Sequence, residues 1–199
     1  LERRSETSPL VDVSFLFATG AAYDPPGKKG LAELTAAMLA DAGSRSRTIQ
    51  EINRALYPMA ASFDAQLDKE MIRLSGTVHR EKLADWYELV SAQLLEPGWR
   101  ESDLERLRTQ AINGIRTGLV GNNDEELGKE LLYTEIYGAG HPYGSLNEGD
   151  VSDIESITLD DVLGFYRDHF TVANLTVVLA GGYPEEFAAR VAGDMARLP

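Results

Sequence analysis

The stretch Phe63-Asp64-Ala65-Gln66-Leu67-Asp68-Lys69-Glu70-Met71-Ile72-Arg73-Leu74 decides the fold class. Phe63, Ala65 and Leu67 alternate with Asp64, Gln66 and Asp68, the period-two pattern of a half-buried strand. After Lys69-Glu70 the apolar phase resumes at Ile72, Leu74 and Val78. Two strands joined by a tight charged turn account for this, and such a pair is antiparallel. Upstream, Val11, Val13, Phe15 and Phe17 alternate with Asp12, Ser14 and Leu16, which predicts a third strand. Downstream, the continuous apolar run Leu175 to Ala180 predicts a further, buried one.

Helical patterns fill the intervals. A turn at Tyr23 to Gly27 precedes an Ala- and Leu-rich helix from Gly30 to Ala42, with Gly43 as its stop. Thr48 and Glu51 form a capping-box pattern that opens a second helix toward Ala61. A third runs from Glu81 to Leu95 and stops at Glu96-Pro97-Gly98. A fourth begins near Ser102, with Leu104, Leu107, Ala111, Ile112 and Ile115 at helical spacing, and Gly118 to Asn123 is expected to break it. Glu125 to Tyr137 is helical, Gly138 to Gly144 is loop, Thr158 and Asp161 cap a helix to about His169, and Glu185 to Arg197 is the last helix. The order of strands and helices predicts an α+β fold, a mainly antiparallel sheet with helices layered on one face. No linker or repeat divides residues 1–199, which read as a single domain.

Composition narrows the function classes. The chain has 199 residues, 43% hydrophobic and 26% charged, which is ordinary globular composition. Net charge is −13, so general binding to nucleic acid or anionic membrane is disfavoured. No apolar run is long enough to predict membrane insertion. There is no cysteine, which removes disulfides, thiolate metal sites and cysteine nucleophiles together. A start at Leu1 without methionine or signal-like stretch reads as a trimmed segment. Cytoplasm and periplasm of a bacterium suit such a chain equally.

The residues by themselves display no catalytic equipment. His79, His141 and His169 stand apart in sequence, with no i, i+4 pair to hold a metal, and each reads as structural or surface. The glycine-rich loop Gly138 to Gly144 lacks the Gly-Lys-Ser/Thr ending of a phosphate cradle. The acid pairs Asp124-Glu125-Glu126 and Asp160-Asp161 fall at helix starts, where they complement the dipole. Asn174-Leu175-Thr176 fits the glycosylation pattern but falls on the strand expected to be buried.

Several motifs in one order carry a resemblance. They are Gly20 to Asp24 followed by Gly30-Leu31-Ala32, then Leu104-Glu105-Arg106-Leu107-Arg108, then His141-Pro142-Tyr143-Gly144, then Phe165-Tyr166-Arg167 through Asn174-Leu175 to Ala180-Gly181-Gly182. Over nearly its whole length the chain resembles the first domain of the pitrilysin/insulinase family of zinc peptidases, which includes the processing peptidases. In active members the helix after Gly-x-Ala carries an inverted H-x-x-E-H motif, two zinc-binding histidines and a glutamate that activates water. A glutamate on the E-R-x-R helix completes the site. The corresponding residues here are Glu33, Ala36, Ala37 and Gly114, with Asn113 beside the last. One carboxylate is left where a catalytic zinc needs three ligands.

The resemblance therefore implies the first domain of a degenerate, non-catalytic half, inactive alone. It would close the chamber of a two-part zinc peptidase and help hold the peptide. Zinc is expected in a catalytic homologous subunit or fused half, and no cofactor in this chain. Asp64, Ala65, Gln66 and Leu67 correspond to the family's substrate-pairing edge strand. Two other readings accompany this one. The chain is a structural or binding module that has left peptidase work, or it is an active zinc hydrolase with a displaced site built on His79, His141 or His169.

Overall fold

The computed structural model describes residues 1–138 and 140–199. Strands are β1 (Glu2–Arg4), β2 (Leu10–Phe17), β3 (Asp64–Leu67), β4 (Ile72–His79) and β5 (Leu175–Gly181). Helices α1 (Leu31–Ala40) and α2 (Ile49–Leu56) lie between β2 and β3. Between β4 and β5 come α3 (Leu83–Leu95), α4 (Glu101–Asn113), a π-helical stretch (Gly114–Leu119), α5 (Val120–Asn122), α6 (Asp124–Tyr137), α7 (Val151–Ser156) and α8 (Leu159–His169). Helix α9 (Glu185–Met195) closes the chain.

The sheet order is β1-β5-β2-β4-β3. Every pair is antiparallel except β1 with β5, so the sheet is mixed and mainly antiparallel. The α+β class expected from the sequence holds. Register explains which face is buried. Phe15 stands opposite Leu74 on one side and Val177 on the other, and Phe17 opposite Ile72 and Leu175. Side chains directly opposite share a face, and this face meets the helices. Val11, Val13, Phe15, Phe17, Ile72 and Leu74 are wholly buried there. Trp86 and Tyr87 of α3 are buried too, and Trp86 Nε1 donates to the Ser62 carbonyl at 3.0 Å. Each large side chain so buried contributes about 1.5–3 kcal/mol.

Helix α1 is the axis of the helical layer. It is apolar nearly all round, the composition of a helix enclosed by protein, and it packs on β3, α4 and α8. Its N-cap is Gly30 at φ 102°, a left-handed conformation that a side chain would strain. Asp24 supplies what a capping side chain otherwise would. Its two carboxylate oxygens accept from Gly30 N–H and Ala32 N–H, both at 2.7 Å.

Several boundaries differ from the sequence reading, each for a local reason. Strand β1 was not expected, because charged Glu2-Arg3-Arg4 has no apolar alternation and pairs through backbone alone. The capping box of α2 forms, but the helix stops at Leu56 rather than Ala61. Pro58 follows in a 3₁₀ turn that ends at Ala60 with φ 49°. Gly118 does not break the fourth helix, which continues through the wider π-helical turns to Asn122. Helix α7 lies in a segment with no expected element and is capped by Asp150. Strand β5 is less buried than its apolar run suggested. Leu179 is fully buried while Thr176 is exposed, because the face opposite the helices is open. Burial therefore does not discount Asn174, whose amide donates to the His169 carbonyl at 3.0 Å. Of the loop Gly138 to Gly144, Ala139 lies outside the described residues, and Pro142–Gly144 forms a 3₁₀ turn. No helix among the described residues is long and apolar enough to cross a membrane.

Candidate functional site

Residues on successive turns of a helix share a face. Glu33 and Ala37 of α1 do so, with Asp41 one turn further on at its C-cap. This face looks across a cleft of about 280 Å³ at Leu107, Gln110 and Ala111 of α4 and at Gly114, where the π-helical stretch begins. The structure thus brings together three of the four positions expected from the resemblance: Glu33, Ala37 and Gly114. A side chain at Gly114 would meet open space. Ala36 is separate from this group. It is wholly buried in the core and does not line the cleft.

Two further acids complete the cleft, Asp41 and Glu148. Sequence reasoning missed both. Asp41 had a signal, since it continues the Glu33–Ala37 face by one turn. Glu148 sits in a loop far along the chain, carried in by backbone contact. Gly149 packs against Gly30 so closely that a Cβ on it would lie 2.5 Å from the Gly30 Cα.

The electrostatics follow from this crowding. Burial pushes the Glu33 carboxyl up to about 7, and repulsion from Glu148, Asp41 and Asp24 adds to it. Burial also raises Asp41, helped by Asp64 and opposed by Arg106. Asp24 is raised to about 6 by burial, although the Gly30 and Ala32 N–H groups favour its ionised form.

The residues of the cleft do not fit a zinc site. Ala37 and Gly114 bring no donor atom, and the remaining lining offers carboxylates but no imidazole. Among the described residues no group of three His, Asp or Glu side chains is placed to hold a metal. The histidines occupy unrelated settings. His79 Nδ1 accepts from Glu81 N–H at the end of β4. His141 Nδ1 accepts from Tyr143 N–H, and its ring stacks on Tyr137. His169 packs against Phe165 and Tyr23, and burial lowers its pKa.

The expected edge-strand residues Asp64, Ala65, Gln66 and Leu67 form β3, at the edge of the sheet. The hairpin closes with Asp68 N–H donating to the Met71 carbonyl at 2.9 Å. That bond fixes the alternation along the strand. Asp64 and Gln66 turn their backbone groups toward β4, whereas Ala65 and Leu67 turn theirs outward. Asp64 and Gln66 also expose their side chains, while Ala65 and Leu67 half-bury theirs.

Comparison with known proteins places these features. Residues 1–141 match the family described as Insulinase (Peptidase family M16), a segment that includes the cleft's α1 and α4 walls and β3. The chain is 22% identical over 173 residues to the mitochondrial-processing peptidase subunit beta of Caenorhabditis elegans, covering 87% of this chain and 37% of that protein. Among solved structures, a peptidase M16 inactive domain from Pseudomonas fluorescens superposes with a TM-score of 0.88. It is 25% identical and covers all of this chain and 48% of its own. Pitrilysin gives a TM-score of 0.84 at 14% identity, covering 98% of this chain and 21% of its own. The chain spans less than half the length of each of these relatives. With a family match over more than two thirds of its length, this chain belongs to the insulinase family of peptidases, M16.

Proposed function

We propose that the chain is the first domain of the non-catalytic half of a two-part zinc peptidase. In this reading it helps to close the chamber and holds an extended peptide along β3, while a homologous half bearing H-x-x-E-H supplies zinc and hydrolysis. The observation that carries the reading is the cleft between α1 and α4. It keeps the shape of a site, but Ala37 and Gly114 stand where donors would be needed. The likeness to a domain described as inactive supports it. So does the free outer edge of β3, which offers an extended peptide the backbone groups of Ala65 and Leu67.

Zinc stoichiometry tests the first part. After dialysis against trace zinc, elemental analysis is expected to find far less than one zinc per chain. One tightly held zinc would overturn the reading and restore the displaced-site alternative. Peptide holding is tested with Ala65→Pro. The Ala65 N–H points away from β4, so proline there spares the hairpin and removes a donor from the outer edge. Affinity for an extended peptide is expected to fall about tenfold, as for loss of one well-made hydrogen bond together with a blocked edge. Unchanged affinity would remove β3 from the function.

A further inference from the structure

Glu130, Tyr133 and Tyr137 recur on α6 at helical spacing and so share one face. Tyr133 and Tyr137 stack, with ring centroids 6.1 Å apart. The 3₁₀ turn Pro142–Gly144 folds back beside them, tied by Thr134 Oγ1 donating to the Gly144 carbonyl at 3.1 Å. That brings the Tyr143 ring to 5.6 Å from Tyr137, centroid to centroid. The β3–β4 turn closes the other side. Ala21 N–H and Ala22 N–H donate to the Asp68 and Lys69 carbonyls at 3.1 and 2.8 Å and hold its backbone in place. Between these parts lies a pocket of about 200 Å³, lined by Asp68, Lys69, Glu130 and the three tyrosines, with Asn147 beside them.

Lys69 stands apart in this lining. It is 8% exposed, and its ammonium donates to the Ser145 carbonyl, a neutral acceptor. Among the described residues the lysines in salt bridges are Lys28 and Lys129, and Lys69 forms none. A lysine so buried is ordinarily paired with a carboxylate. Burial lowers the Lys69 pKa with help from Lys29, against the opposing charges of Glu130, Glu148 and Asp68. Desolvation favours the free amine, which is the nucleophilic form. In the same pocket burial raises the Glu130 carboxyl, aided by Glu148 and Glu126 and opposed by Lys69. A carboxyl raised in this way holds a proton that it can pass on. A nucleophilic amine and a proton donor within aromatic walls match one ligand chemistry, a carbonyl carbon attached to an aromatic ring. The acids around the amine disfavour an anionic substituent on that ring.

We propose that this pocket captures a neutral aromatic aldehyde as an imine on Lys69. The ring packs against Tyr133, Tyr137 and Tyr143. The Nζ lone pair forms a bond to the carbonyl carbon, and the carbonyl oxygen takes up the proton that the nitrogen loses. Glu130 then protonates the hydroxyl, the carbon–oxygen bond breaks, and water leaves. The iminium nitrogen returns a proton to Glu130, which leaves a neutral imine. Amine and aldehyde thus give imine and water, with no change of oxidation state. This chemistry is independent of peptide holding at β3.

The test incubates the full-length protein with benzaldehyde near neutral pH, reduces with cyanoborohydride and maps the benzylated lysines by mass spectrometry. Lys69 is expected to be labelled about tenfold more than Lys28, Lys29, Lys82 or Lys129, a small part of what holding two reactants together can supply. With propanal, which has no ring, that preference is expected to vanish. Lys69→Arg keeps the cation and a donor for the Ser145 carbonyl, and it is expected to remove the preferred adduct. Tyr137→Ala keeps the amine and is expected to bring Lys69 labelling down to that of the other lysines. The parent protein supplies a control that needs no variant. Benzyl alcohol, which has the ring but no carbonyl, is expected to slow labelling of Lys69 and leave the other lysines unchanged. Equal labelling of Lys69 and the others, or none at Lys69, would overturn the capture. A preference for Lys69 that survives with propanal, or that benzyl alcohol does not slow, would overturn the aromatic pocket.

Discussion

Replacing Glu33 with glutamine is expected to stabilise the fold at pH 8 by about 2 kcal/mol and to do nothing near pH 4.5. The carboxyl titrates at about 7 in the fold and at 4.5 when unperturbed. An acid raised in this way binds a proton more readily folded than unfolded. Between those two values the native state holds more protons, so stability is fully present below pH 4.5 and declines as pH rises toward 7. Asp24, raised from 3.8 to about 6, adds a loss of the same sign in an overlapping window. Glutamine removes the ionisable group at Glu33 and leaves the Asp24 contribution in place. Thermal unfolding of the two proteins should then differ by roughly 4–8 °C at pH 8 and converge in acid. The sign is informative about function. A cation held by Glu33 would lower its pKa and reverse the effect, so a destabilised Glu33→Gln at pH 8 would mean that the cleft holds a metal after all.

What could be read from the sequence was what is local. The β3–β4 hairpin and both capping boxes, Thr48 with Glu51 and Thr158 with Asp161, are patterns within a few residues, and all three form. Strand β1 escaped because its three charged residues show no apolar alternation, and α7 because six residues are too few for a helical period to show. Gly118 misled for another reason. Glycine costs a helix about 1 kcal/mol but does not forbid it, and widened turns absorb it here. The site divides in the same way. Glu33 and Ala37 share a helix face by spacing, and Gly114 came from the family resemblance. Glu148 depends on the Gly30–Gly149 contact, and the Gln93 amide of α3, which donates to the Leu39 and Ala40 carbonyls, on the end of α1. Neither tertiary contact has a signature in its own neighbourhood of the chain.

Placing a glutamate at Ala36, the position the family resemblance implies for the base of the inverted motif, is expected to cost about 3–5 kcal/mol at pH 8, a large share of an ordinary domain's stability. Ala36 is wholly buried in the core, and it lies outside the cleft that Glu33 and Ala37 line. A carboxylate introduced there has two courses. It stays among apolar side chains and is neutralised at a cost, or it displaces them to reach the cleft. In the cleft it meets Glu33, Asp41 and Glu148, whose like charge opposes its ionisation. Both courses destabilise, and both predict partial recovery at pH 5, where the new carboxyl is protonated. Urea unfolding at the two pH values measures this directly. A variant as stable as the parent at pH 8 would show that the cleft still accommodates a general base. The separation of Ala36 from the cleft gives the opposite expectation: the position serves packing, and the motif cannot be rebuilt one residue at a time without losing the fold that displays it.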